Sequence, residues 1–98
     1  MHASSALITV NDLGPAKLMG RLAKHWSHKF AVELDAERAV IPFPAARCVL
    51  RVQGAQLLAT LEVDDPATLP KMQEVVADHL QRMARGEALS IEWQASPG

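Results

Sequence analysis

The sequence predicts a small α+β domain, an antiparallel sheet with two helices packed on one of its faces. Six short stretches have the composition or the alternation of strands, and two longer stretches repeat apolar residues at helical spacing. Clean alternation in most strands is typical of a sheet with one covered face and one wet face. The predicted order of elements is β-α-β-β-β-β-α-β, and the nearest architecture by analogy is TATA-binding-protein-like.

The first strand is predicted at residues 7–10, where the side chains are mostly apolar and β-branched. A turn follows and ends at Pro15, a residue that suits the first turn of a helix. The first helix is predicted from residue 16 to about 28 because apolar side chains recur there at helical spacing. Its outer face carries a basic stripe formed by Lys17, Arg21, Lys24 and His28.

A hairpin is predicted next, with strands at 32–34 and 39–41, because the period changes to two residues. Pro42 and Pro44 cannot donate backbone hydrogen bonds, so this end of the second hairpin strand should lie at a sheet edge or leave the sheet. Residues 45–47 are then expected to form a connection.

The second half of the chain contains three strands and a helix. Alternation predicts two consecutive antiparallel strands at 47–53 and 57–64. An apolar stripe over 69–83 predicts the second helix, which should end at Gly86. A last strand is predicted at 89–94, where apolar and polar side chains alternate again.

Size, charge and cysteine content limit the classes of protein that fit this chain. With 98 residues, 49% of them hydrophobic, the sequence predicts a single domain over residues 1–98 with a loose tail at about 95–98. A formal net charge of −1 gives no field that would attract nucleic acid or an anionic membrane. The sequence shows no secretory signal and has Cys48 as its single cysteine, so we expect a cytoplasmic protein.

Several segments together resemble an uncharacterised bacterial family, domain of unknown function 2218. They are the run LAKHWSHKF at 22–30, Phe43 with Cys48, the run VVADHLQRMAR at 75–85, and then Glu87, Leu89 and Trp93. The chain departs from the family pattern at Pro44-Ala45-Ala46, where glycine is expected, at Met83, where an aromatic residue is expected, and at Gly86, where a basic residue is expected. The resemblance implies a shape and a set of candidate residues, but no activity.

Three histidines and the cysteine are the candidates for chemistry. His25 and His28 are three residues apart near the end of the first helix, where histidine can cap carbonyl groups or, with its neighbour, bind a metal or a haem iron. The apolar stripe of the second helix turns His79 towards the sheet, so we expect it to be partly buried and hydrogen bonded. Cys48 shares a strand face with apolar residues, which favours a buried thiol. Together these four residues are the candidate ligands of a transition metal or haem.

The remaining candidates are aromatic and polar. Trp26 and Trp93 lie on predicted core faces and are expected to be packing anchors. The outer face of the sheet is predicted to carry Arg47, Arg51, Thr60, Glu62, Glu92 and Gln94. This mixture of charges indicates either a solvated surface or a polar surface for a dimer or a partner protein.

No phosphate-binding loop, nucleophile elbow or zinc-protease motif occurs in the sequence. The first hypothesis is therefore a non-catalytic cytoplasmic binding or accessory module that forms a weak homodimer or binds a protein partner, without nucleic acid or membrane. The alternative is a metal or haem binding protein that uses His25, His28, Cys48 and His79. A second alternative is a small enzyme with Cys48 or His79 as its reactive group.

Overall fold

A computed structural model describes residues 2–96 and contains six strands and two helices in the predicted order. The elements are β1 (His2–Thr9), α1 (Pro15–Trp26), β2 (Glu33–Leu34), β3 (Arg38–Phe43), β4 (Ala46–Gln53), β5 (Gln56–Val63), α2 (Leu69–Ala84) and β6 (Gln94–Ser96), with a short 3₁₀ turn at Pro66–Thr68 before α2. The strands form one antiparallel sheet in the order β2-β3-β4-β5-β1-β6. The predicted α+β class is confirmed, whereas the TATA-binding-protein-like analogy stays a prediction.

Both helices pack on the same face of the sheet. The side chains that fill the space between the layers are fully buried; they include Ile8, Ile41, Leu50, Leu57 and Leu61 from the sheet, Leu18 and Leu22 from α1, and Val76 and Leu80 from α2. Within residues 2–96, neither helix is long and apolar enough to cross a membrane. In the described part of the chain the other face of the sheet carries no helix, as the alternation of its strands predicts.

The first strand begins at His2 instead of residue 7, because β1 pairs with β5 from its first residue onwards. Ser4 lies in this unpredicted part and is only 2% exposed. Its hydroxyl oxygen accepts a hydrogen bond from Nε2 of Gln73 at 3.0 Å, which satisfies a polar group that is otherwise expensive to bury. Residues 2–5 are polar or small, so apolar alternation does not predict this part of β1.

The first helix ends at Trp26, two residues before the predicted end at about residue 28. The hydroxyl of Ser27 donates a hydrogen bond to the carbonyl of Lys24 at 2.7 Å, and the chain turns immediately afterwards. His28 therefore lies outside the helix, and its side chain is exposed in the turn that follows.

The turn between β3 and β4 has two residues, not the longer connection predicted at 45–47. Ala45 has a φ of 59°, a left-handed conformation that strains a residue with a Cβ atom and explains why glycine is expected here. On one side Pro42 pairs with Arg47 of β4. On the other side β2 pairs only with Ala39 and Val40 and does not reach Pro42. The missing N–H of Pro42 therefore faces an open edge, as predicted.

Of the strand predicted at 89–94 only Gln94 is confirmed, because β6 covers Gln94–Ser96; the prediction is wrong for residues 89–93. The side chain of Gln81 holds the preceding segment on α2 instead. Its Nε2 donates to the carbonyl of Glu87 at 2.7 Å, and its Oε1 accepts the N–H of Leu89 at 2.9 Å. These backbone groups are therefore not available to pair with β1, although the side chain of Leu89 still packs against the core as predicted.

Two residues of the tail predicted at about 95–98 belong to β6. Ala95 and Ser96 pair with Ser4 and Ala3 of β1. Residues 97–98 of the predicted tail lie outside the described part of the chain.

Glu87 ties the end of α2 to the turn before α1. Its carboxylate oxygens accept the N–H groups of Asn11 at 2.7 Å and of Asp12 at 3.0 Å, with a longer contact to Leu13 at 3.5 Å. These backbone hydrogen bonds, that of Asn11 above all, lower the pKa of the Glu87 carboxyl below its ordinary value. The interaction needs the charged form, because only the carboxylate offers both oxygens as acceptors.

This interaction makes the stability of the fold depend on pH. Because the pKa of Glu87 is lower in the folded chain, its contribution is present above the ordinary value of 4.5 and is lost as the pH falls through the folded-state pKa. We expect Glu87→Gln to lower the urea midpoint at pH 7, and the gap to wild type to shrink in acid. Glu74→Gln changes an exposed carboxylate on α2 and is the control. A gap that is the same at pH 7 and in acid would contradict this account.

The two tryptophans differ in burial, and so do the expected effects of removing them. Trp26 is 5% exposed, and Trp26→Ala should lower the free energy of unfolding by about 3–5 kcal/mol. Trp93 packs against the core but keeps part of its surface in solvent, so Trp93→Ala should have a smaller effect. Urea unfolding followed by circular dichroism measures both values. An equal or larger loss for Trp93→Ala would show that the order of burial is wrong.

Candidate functional site

Cys48 lies on the inner face of β4, between Ile41 of β3 and Leu61 of β5 in the cross-strand register. It is fully buried, as predicted, and burial raises the pKa of its thiol to about 12. The thiolate needed for nucleophilic attack or metal binding is therefore not populated at neutral pH in the folded chain. In residues 2–96 no three or more histidine, cysteine, aspartate or glutamate side chains are grouped to hold a metal, so the four predicted ligands do not converge.

His79 lies on α2 and is half-buried, as predicted from the apolar stripe. Its Nδ1 is 2.7 Å from the carbonyl oxygen of Val75, one helical turn earlier. Because a carbonyl oxygen can only accept, Nδ1 carries the hydrogen in this bond. In the neutral ring the lone pair is then on Nε2, which makes no hydrogen bond within the described residues.

The two helices bring His79 next to His25. Their ring centroids are 5.3 Å apart, with an angle of 49° between the planes. The helices run antiparallel here. Arg21 lies one turn before His25 on α1, and its Nη1 donates at 3.0 Å to the carbonyl of Met83, which lies one turn after His79 on α2. The side chain of His25 is exposed and that of His79 is half-buried, so the pair lies at the surface of the seam between α1 and α2.

Aromatic side chains support the histidine pair from the interior. The ring of His79 lies 4.8 Å from that of Trp26, and Trp26 meets Phe43 edge to face at 4.9 Å. Phe43 in turn meets Phe30 at 5.0 Å. This row of rings runs from the end of α1 to the end of β3 and fixes His79 on one side by packing.

His28, which the sequence places beside His25, does not join this arrangement. The helix ends before it, and in residues 2–96 its ring makes no close contact with another aromatic ring. His25 is close to His28 in the sequence, but in the fold its neighbour is His79.

The outer face of the sheet forms the second candidate surface. Cross-strand neighbours on this face form rows; one contains Val40, Val49, Thr60 and Ser5, and the next contains Arg38, Arg51, Leu58 and Leu7. Leu7 is 48% exposed, one of only two large hydrophobic side chains so exposed in residues 2–96. The predicted outer residues Arg47, Arg51, Thr60, Glu62, Glu92 and Gln94 are all exposed or half-buried. Apolar side chains such as Leu7 and Leu58 therefore share this face with charged side chains such as Arg51.

A groove of about 550 Å³ runs beside Leu7 on this face, where the segment before β6 leaves β1. Leu58, Ser5, Ser90 and Glu92 line it. In the described chain no backbone hydrogen bond joins Leu7 to this segment, so the edge of β1 is open along the groove. Such an edge is a surface that a partner can contact.

Comparison with known proteins places the chain in a family. A family model described as "Uncharacterized protein conserved in bacteria (DUF2218)" matches residues 8–94. The chain belongs to this DUF2218 family. It is also similar to the NMR structure of PA4090 from Pseudomonas aeruginosa, with 44% identity, 96% of each chain covered and a TM-score of 0.76. No curated protein matches the chain at a significant level.

Three features of the structure were not predicted from the sequence. The contact of His25 with His79 joins residues that are far apart in the sequence, and no local spacing signals it. Leu7 is exposed because it alternates with the buried residues Ala6 and Ile8 and therefore points to the outer face. That this face is uncovered becomes clear only from the arrangement of the strands and helices. The role of Glu87 had a weak signal, since a carboxylate just after a helix end and a glycine is well placed to accept backbone N–H groups.

Burial of Cys48 predicts slow chemistry at its thiol. In the native protein Cys48 should react with a maleimide only through unfolding, and rapidly in urea. A Cys48→Ala, Ala36→Cys variant, whose thiol is placed at an exposed position, is the control and should react rapidly under both conditions. Rapid labelling of native wild type would mean that the inner layer is more open than described.

Proposed function

We propose that this DUF2218 protein is a non-catalytic cytoplasmic accessory module that binds a second copy of itself through the outer face of its sheet. The observation that carries the proposal is the exposure of Leu7 on this face, next to Leu58, where no helix of the described chain covers it. An exposed apolar centre with a polar rim is the usual organisation of a protein interface.

The charges of the face are arranged for self-association. In the row of Leu7, basic Arg38 and Arg51 lie on one side of Leu58, while Glu92 lines the groove on the other side. A two-fold axis that runs through Leu58 parallel to the strands would place Arg38 of one copy opposite Glu92 of the other. A surface that complements itself in this way suits a symmetric dimer.

A binding role also fits the state of the reactive groups. The single thiol is buried and protonated, and Nδ1 of His79 is held by a backbone carbonyl. The uncharacterised family brings no activity that would point to another role. Accessory binding therefore accounts for the exposed surfaces without requiring catalysis.

Sedimentation across a range of concentrations tests the proposal. We expect wild type to self-associate weakly, and Leu7→Arg to weaken this association at least about tenfold, because the two-fold arrangement would place the new guanidinium opposite Arg51 of the other copy. Leu34→Arg is the matched control, since Leu34 is 52% exposed but lies on the edge strand β2. A wild-type protein that stays monomeric at every concentration would overturn the proposal, as would loss of association in Leu34→Arg alone.

Charge reversal tests the two-fold arrangement. Arg38→Glu should weaken association, and the double variant Arg38→Glu with Glu92→Arg should restore it, because the pair is exchanged across the interface. Failure of the double variant to recover any association would contradict this arrangement.

A further inference from the structure

We infer that His25 and His79 together form a binding site for a late first-row transition-metal ion, such as Cu²⁺ or Zn²⁺, at the seam between α1 and α2. This site is on the helical side of the molecule and is independent of the proposed dimer surface. It uses two of the residues that the sequence singled out, without His28 and Cys48.

The distance between the rings fits a shared ion. Two imidazoles that bind one tetrahedral ion through nitrogens at about 2.0 Å have ring centres about 5 Å apart. The ring centroids of His25 and His79 are 5.3 Å apart, so their separation already fits a shared ion and the helices need not move. The two residues come from different helices, and the packing of those helices sets the separation.

The hydrogen bond of His79 prepares its other nitrogen for a metal. A histidine ligand commonly donates its second ring N–H to a carbonyl or carboxylate, which fixes the tautomer and the orientation of the ring. His79 donates Nδ1–H to the carbonyl of Val75, which leaves the Nε2 lone pair free. This hydrogen bond gives the half-buried ring of His79 a polar partner, and it also makes His79 a suitable metal ligand.

Packing lowers the entropic cost of ordering the site. Trp26 lies 4.8 Å from His79 and is itself held by Phe43. One ligand is therefore fixed before the ion arrives, and only the exposed ring of His25 must be ordered. Two protein ligands leave coordination positions open for water or for a donor on another molecule.

The ligand type selects the class of ion. Neutral imidazole suits copper, zinc and nickel, whereas magnesium and calcium require oxygen ligands. Among divalent ions of the first row, Cu²⁺ binds nitrogen sites most tightly. The expected order of affinity at this site is therefore Cu²⁺ above Zn²⁺, with no binding of Ca²⁺.

Calorimetric titration of untagged protein tests the inference, with Cu²⁺, Zn²⁺ and Ca²⁺ as the probes. A His2→Ala background removes the remaining histidine as a competing ligand. In this background His25→Ala should weaken Cu²⁺ and Zn²⁺ binding at least about tenfold, because one of the two ligands is lost. His28→Ala is the matched control, since it removes an exposed histidine three residues away that lies outside the pair, and it should leave the affinity within about twofold.

An NMR titration with Zn²⁺ adds a readout at the second ligand without mutation of His79, whose removal could disturb the fold. The ring signals of His25 and His79 should shift together, and His79 should lose this response in His25→Ala. Equal losses of affinity in His25→Ala and His28→Ala would overturn the inference. It would also be overturned by the absence of Zn²⁺ and Cu²⁺ binding or by a response confined to His28.

Discussion

The whole arrangement depends on a sheet that is covered by helices on one face only. Hydrophobic burial between the layers fixes the parity of every strand, because a shift by one residue would expose the core face. Cys48 is buried for this reason, and Leu7 is exposed for the same reason. The surfaces that remain for function are the outer face of the sheet and the exposed seam between the helices.

The elements with strong apolar periodicity were predictable from the sequence. The alternation around Cys48 and Leu50 placed β4, and the stripe through Val76 and Leu80 placed α2, because both patterns follow directly from burial on one face. Prediction failed where hydrogen bonds outside the periodic pattern set the boundaries. Gln81 holds the segment before β6 on α2, and such a contact leaves no trace in the period of the side chains.

The candidate site was predictable in its members but not in its geometry. His79 was placed in the inner layer by its position in the apolar stripe, whereas His25 was paired in sequence with His28. Because α1 ends at Trp26, His28 lies outside the helix. Because the two helices pack antiparallel, the neighbour of His25 is His79. Local spacing could not foresee this, since the contact depends on where two helices pack against one sheet.

We propose that this protein associates through the outer face of its sheet. Two-dimensional NMR spectra of the backbone amides over a dilution series test it most directly. Signals that move with concentration should come from Ser5, Leu7, Leu58 and Thr60 on the outer face. Shifts confined to α1, α2 or the edge strand β2 would contradict the account.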